Sequence, residues 1–330
     1  MPEFKIQHIT RYTYDGLVRD SANQIILFPI VDVNQDVLKH DLTITGNPLV
    51  DTHVDYYGNE VGSFTYLEPH NRMVINSEVL VTTHHKELPT DLVPAQEQWQ
   101  KLTSLQYIVP YIDFLKHEYF EALPELMGVI NTEKQPNDTP YQTALRFCDY
   151  VFQNFTYLPG VTTVETTIDE VWPLKAGVCQ DFAHILVLML RLLNVPARYV
   201  SGYICPNHNG MRGEGATHAW AEAYLPDYGW LGIDPTNNCI ANETHVRLAV
   251  GRNFSDCSPV KGVYKGSSGH LLEVKVSVEY KDQPSVTDND NEDLPGNSFV
   301  QAVQAEEFST NSYQRYKEAM LLQQQQQQQQ

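Results

Sequence analysis

The sequence predicts an α+β protein, with an antiparallel β-sandwich at the N-terminus followed by a unit in which one central helix packs on an antiparallel sheet. Three observations carry this. The first stretch, to about residue 92, alternates polar and apolar residues in short runs broken by turn formers such as "YYGNE" and "EPHN", with almost no helical periodicity. Residues 179–193 are apolar nearly all round, and such a helix sits inside a core rather than on a surface. Two strand-like segments, "THAWAEAYL" and "GWLGIDPT", follow it and are joined around "PDYG".

Length and composition bound the rest. A chain of 330 residues with 42% hydrophobic and 11% aromatic residues has enough apolar material for about two domains. Its formal charge of -19 repels phosphate, which argues against nucleic acid and anionic membrane as partners. No apolar run approaches the roughly 18 residues of a membrane span, and the opening "MPEFKIQHITRYTY" has no signal-peptide core, so the expected location is cytoplasmic. Five cysteines, at 148, 179, 205, 239 and 257, are an odd number without a framework spacing and read as reduced thiols. The sequence calls for no metal and no cofactor. The nearest metal-like spacing, Cys205 and His208 in "CPNH", lies in a Gly/Asn-rich loop without a second pair.

Taken in order, residues 4–14, 37–45, 61–67 and 73–83 are the strands of a sandwich domain spanning 1–92. A helical connector, 93–138, follows, with helical patches over 95–105 and 111–127 interrupted by Pro110 and Pro124. A second unit, 139–282, opens with a well-marked helix: Thr139 is its N-cap, Pro140 fits the first turn, and Gln142 completes a capping box. Tyr141, Ala144, Leu145, Cys148, Val151 and Phe152 form its buried stripe, which makes Cys148 inert core. Thr167 and Glu170 mark a second short helix, and the buried helix at 179–193 ends at "NVP". "ARYVSGYI" is a strand, and residues 269–280 alternate cleanly enough to close the same sheet or pack beside it. From 283 to 330 the chain is acidic and then Gln-rich, the composition of a disordered tail. Its "DNDNED" lacks the glycine and glutamate of a calcium loop.

The chemistry converges on three residues. A helix N-terminus offers unpaired N–H groups and the positive end of the helix dipole, a setting that suits a sulfur nucleophile. Cys179 heads the buried helix, behind Gly177 and Val178. His218 and Asp234 lie on the next two strands, as a base and the carboxylate that orients it would. A clean four-residue loop over Pro226–Gly229 would put Asp234 on the face opposite His218. The triad therefore requires a five-residue loop or a bulge near 225–231. Trp220 and Trp230 are candidate walls of a cleft, or aromatic filling of a sheet face.

"GVCQDFAH", "RYVSGY", "HAWAEAYLPDYGWLGIDPT" and "FTYLPG" resemble the transglutaminase-like superfamily, specifically its bacterial branch of candidate cysteine proteases with an N-terminal β domain. The resemblance covers about 140–265 and implies a papain-like core, with Cys179 as nucleophile, His218 as base and Asp234 orienting it. Asp181 matches the "CQD" pattern, for a role that is either structural or in shaping the pocket, and Gln180 and Tyr157 are candidate oxyanion donors beside the Cys179 N–H. The implied activity is thiol attack on the amide bond of a peptide or protein substrate. Water is the favoured acceptor, since nothing resembles the calcium sites of animal transglutaminases. Transfer to an amine, as in a protein-glutamine transglutaminase, and a non-catalytic peptide-binding scaffold are the alternatives. Oligomeric state is not fixed by the sequence.

Overall fold

The computed structural model describes residues 1–205, 211–213 and 216–281, and the backbone of 298–303. The N-terminal strands are β1 (Glu3–Ile25), β2 (Gln35–Ile44), β3 (Asp51–Val54), β4 (Glu60–Tyr66) and β5 (His70–Thr83). The connector carries α1 (Ala95–Ser104) and α2 (Leu123–Glu133). Then come α3 (Pro140–Asn154), β6 (Thr156–Tyr157), α4 (Ile168–Leu174), β7 (Ala176–Gly177), α5 (Cys179–Leu192), β8 (Ala197–Ile204), β9 (Thr217–Leu225), β10 (Gly229–Asp234), β11 (Cys239–Ile240) and β12 (His245–Gly251). A short α6 (Phe254–Cys257) precedes β13 (Val260–Lys265), β14 (His270–Tyr280) and β15 (Ser298–Val303).

The two layers expected of a sandwich are two halves of one curled, eight-stranded antiparallel sheet. One strand serves both halves. The first part of β1 pairs with β5 and β14, and its last part pairs with β13 from Arg19 and with β4 from Ser21. Register shifts between Thr13 and Val18 and between Arg19 and Ala22 let the strand bend from one half into the other. Its inward residues Phe4, Ile6, Val18 and Ile25 are fully buried.

The strand at 270–280 corrects the sequence reading. It neither closes the sheet that follows the buried helix nor lies beside it as a neighbouring strand; it pairs with β1 from Phe4↔Tyr280 to Tyr14↔His270, and Val276 and Val278 fill the N-terminal core. Alternation shows that one face of a strand is buried but not against which partner. Of the tail expected to be disordered, Ser298–Val303 forms a strand against β14, and the remainder from 282 lies outside the described residues.

The second sheet has the order β11-β10-β9-β8-β12 and is antiparallel throughout. Against it lies α5, whose Phe182, Ile185, Leu186, Met189 and Leu190 have no exposed surface. Each contributes about 1.5–3 kcal/mol relative to exposure. The facing residues on β9 are Ala221 and Ala223, whose size lets the helix approach closely, with Leu231 and Ile233 beside them on β10. The capping box predicted at Thr139 and Gln142 is present, and Cys148 is buried in the same core.

β12 is an edge strand, and the N-terminal region covers it with side-chain amides. Gln35 accepts from the Arg247 N–H (2.9 Å) and donates to the Arg247 carbonyl (2.7 Å). Asn59, wholly buried, does the same to Val250 at 2.8 Å in each direction. Two amides thus supply what a neighbouring strand would.

Candidate active site

The start of α5 is fixed by its third residue. Asp181, 2% exposed, turns back to accept the Val178 N–H (2.8 Å) and the Thr162 hydroxyl (2.7 Å). Burial nevertheless pushes its carboxyl above the usual range. A Cβ added at Gly177 would lie 2.8 Å from the Asp181 Cγ, so the glycine leaves room for the capping carboxylate. β7 pairs in parallel with β6, which sets Tyr157 beside Gly177. Cys179 then emerges half-buried, packed against the cluster of Ala183, Tyr199 and Ala219.

The hairpin that brings His218 and Asp234 together is shorter than expected. Leu225 pairs with Gly229 across a three-residue loop, Pro226 to Tyr228, and no bulge interrupts the ladder. Asp227 (φ 65°) and Gly229 (φ 94°) take the left-handed conformations the turn needs. Ile233 pairs with Ala221, so one step on Asp234 stands opposite Trp220 and shares a face with His218. Loops of three and five residues give the same parity, and the irregularity required by the sequence reading is therefore absent.

His218 Nε2 lies 2.9 Å from Asp234 Oδ2, and both side chains are fully buried. Burial alone would lower the imidazole's pKa, but the Asp234 carboxylate and then the Cys179 sulfur hold it up at about 10. The Asp234 carboxyl, although burial opposes this, is held well below the carboxylate range by His218 and then His245. His218 Nδ1 is buried and has no hydrogen-bond partner among the described residues. Gly213 (φ 81°) passes over it so closely that a Cβ there would sit 2.8 Å from Nδ1.

The structure therefore gathers Cys179, His218 and Asp234 in one place. Tyr157 is beside them: burial first, then the Cys179 charge, raises its phenol to about 12. Gln180 is half-buried in the first turn of α5. Trp220 is completely buried, stacked on His218 at 6.2 Å (26° between planes), so it backs the histidine and walls no open cleft. Trp230 packs among Tyr111, Phe114 and Tyr224, with the Arg198 guanidinium over its ring. Cys205 is buried in the N-terminal core, and His208 lies outside the described residues.

Sequence reasoning missed Asn237 and His245. Asn237 Nδ2 donates to Asp234 Oδ2 (2.7 Å) and to the Arg212 carbonyl (3.1 Å), and its own oxygen accepts the Arg212 N–H (2.7 Å). His245 Nε2 lies 3.4 Å from the same carboxylate oxygen. The "DPTNN" run carried a local signal for Asn237, since an asparagine three residues after a carboxylate reaches back to it. His245 arrives on β12 with no such signal.

The chain is similar to known proteins in sequence and in fold. A family model described as the transglutaminase-like superfamily matches residues 130–235, and one described as the bacterial transglutaminase-like N-terminal region matches 4–82. An uncharacterized protein of Mycobacterium tuberculosis is 31% identical over 294 residues, 83% of this chain and 92% of that protein. A protein-glutamine gamma-glutamyltransferase of Pseudomonas aeruginosa is 32% identical over 87 residues, 25% of this chain and 13% of that one. The crystal structure of a candidate cysteine protease from Cytophaga hutchinsonii superposes with a TM-score of 0.67 at 19% identity. That likeness, over 91% of this chain and 98% of the other, is one of fold.

Proposed function

The chain belongs to the transglutaminase-like superfamily, and on that premise we propose that it is a thiol enzyme acting on amide bonds of a peptide or protein through Cys179, His218 and Asp234. The observation that carries this reading is the state of His218. One ring nitrogen is bound to a buried carboxylate, while the other is buried beside the half-buried thiol, with no hydrogen-bond partner recorded among the described residues.

In the proposed reaction His218 Nδ1 already holds the Cys179 proton near neutral pH, as the raised imidazole pKa requires, and the thiolate of this ion pair attacks the carbonyl carbon. The resulting oxyanion meets the Cys179 N–H, which as a first-turn group has no intrahelical partner, and the Tyr157 hydroxyl is the candidate second donor. Collapse breaks the C–N bond, His218 returns its proton to the leaving amine, and a thioester remains on Cys179. Water attacks this thioester, giving an acid and the free thiol. Transfer to an amine is the second reading, favoured by the similarity to the Pseudomonas aeruginosa gamma-glutamyltransferase.

Iodoacetamide labelling of the full chain, resolved by peptide mass spectrometry, tests the reading. Cys179 should alkylate near neutral pH much faster than Cys148, Cys205 or Cys257, and Cys179→Ala should abolish the fast phase. Uniform slow labelling overturns it. A peptide-amide library with and without added amine, run on wild type and Cys179→Ala, then decides the acceptor.

A further inference from the structure

Asp234 is fully buried, yet four donors converge on its two oxygens. Oδ1 accepts the Thr236 N–H (2.9 Å). Oδ2 meets His218 Nε2 (2.9 Å), Asn237 Nδ2 (2.7 Å) and His245 Nε2 (3.4 Å). The proton on His245 is located by its other nitrogen. Nδ1 lies 3.3 Å from the Asn242 backbone N–H and 3.4 Å from the Thr244 hydroxyl. A backbone N–H only donates, so Nδ1 must accept, and the neutral ring carries its proton on Nε2, facing Asp234.

The same tautomer decides against a cation. Asp234, Cys239 and His245 place one ligand atom each within 4.8 Å of one another, a spacing that invites a thiophilic metal. A metal-bound imidazole needs a bare nitrogen toward the ion and an acceptor for its remaining N–H. Here that second nitrogen meets an N–H instead. The cluster is arranged to donate to the carboxylate rather than to ligate.

We propose that His245 is a positioning residue for the Asp234–His218 pair, donating Nε2–H to the oxygen that holds His218 and fixing that carboxylate's orientation. The inference rests on the function proposed above. Its ring sits edge-on to Trp220 (5.2 Å, 82°), which in turn stacks on His218, so the three rings form one buried layer. The strand that carries it is braced by Gln35 and Asn59. The other titratable groups facing the pair are Cys179 on α5, Cys148 on α3, Cys239 on β11 and Tyr157 on β6.

Two substitutions separate donation from packing. His245→Phe keeps a ring against Trp220 and lacks the donor; His245→Gln puts an amide N–H near the Nε2 position. The readout is the pH dependence of Cys179 alkylation by iodoacetamide in the full chain, with thermal melts checking the fold and His245→Met as a second donor-free variant. Without the competing donor, Oδ2 is left more to His218, so in His245→Phe the inflection belonging to His218 should move up by about half a pH unit or more. His245→Gln should bring the inflection back toward the wild-type position. Profiles of His245→Phe and wild type that overlay, or equal displacement in the Phe and Gln variants, overturn the positioning role while leaving the thiol enzyme intact. A wild-type Cys179 no faster than the buried thiols removes the function and this inference together.

Discussion

The contact between Gly177 and Asp181 offers the sharpest test of how the thiol is presented. Gly177 has no left-handed backbone angle, so alanine is conformationally acceptable there and would by itself stabilise by up to about 1 kcal/mol through the unfolded chain. The obstacle is steric: the new Cβ would lie 2.8 Å from Asp181 Cγ and 2.9 Å from its Cβ. The carboxylate must then leave the Val178 N–H and the Thr162 hydroxyl, and no water replaces them around a side chain this buried. Two hydrogen bonds to a charged acceptor, at about 1.5–3 kcal/mol each, set the expected cost of Gly177→Ala at about 3–5 kcal/mol. Asp181→Ala loses the same two bonds, so the double variant should be little worse than either single one, a coupling of about 3 kcal/mol. Urea unfolding followed by tryptophan fluorescence measures all three, and Cys179 alkylation in native buffer should slow in each. A Gly177→Ala protein as stable as wild type, or single effects that simply add, would refute the capping argument.

In a Cys179→Ala background, NMR titration of the His218 ring should fall by about 2 pH units or more when Asp234→Asn is added, because burial then acts unopposed. The sign for stability follows: a histidine raised above its ordinary 6.5 stabilises fully below that pH and progressively less as pH rises toward its folded value, so the stability gap between the two proteins should shrink above pH 6.5. Asn59→Leu strands the buried Val250 N–H and carbonyl and should cost about 2–4 kcal/mol in urea unfolding; a loss under about 1 kcal/mol would show that the edge of β12 needs no cover. One glycine inserted between Asp227 and Tyr228 should reverse the parity of β10 and abolish fast Cys179 labelling, while two glycines should restore it; equal effects of one and two would refute the register.

What was legible in the sequence was local. The capping box at Thr139 and Gln142 involves residues three apart, and the apolar surround of α5 is a property of fourteen consecutive residues, so both could be read directly. The three residues Cys179, His218 and Asp234 were legible because each occupies its own motif. The hairpin parity was not, since "PDYG" does not say which of its residues already belong to the ladder, and Gly229 proves to be paired. Partnership across distance was also hidden. The alternation of residues 269–280 is as consistent with either sheet, and only the need of β1 for a second neighbour decides. His245 and Asn59 reach their partners through folds of the chain that no local pattern records.

These long-range pieces share one consequence for the N-terminal region. His218 and Asp234 lie on β9 and β10, but His245 lies on β12, beyond β8 and at the opposite edge of the sheet. An edge strand left uncovered frays and exposes its backbone to any passing partner. Here Gln35, from the start of β2, and Asn59, from the turn before β4, hold Arg247 and Val250 by both backbone groups. The Asp32–Arg247 ion pair and Glu222 add charge to the same seam. The residues two and five positions beyond His245 are therefore fixed by the N-terminal sheet, and His245 is set against the carboxylate that orients His218. The N-terminal region is on this argument part of the scaffold of the site, and loosening it should reach Cys179 chemistry without any residue of the site being changed.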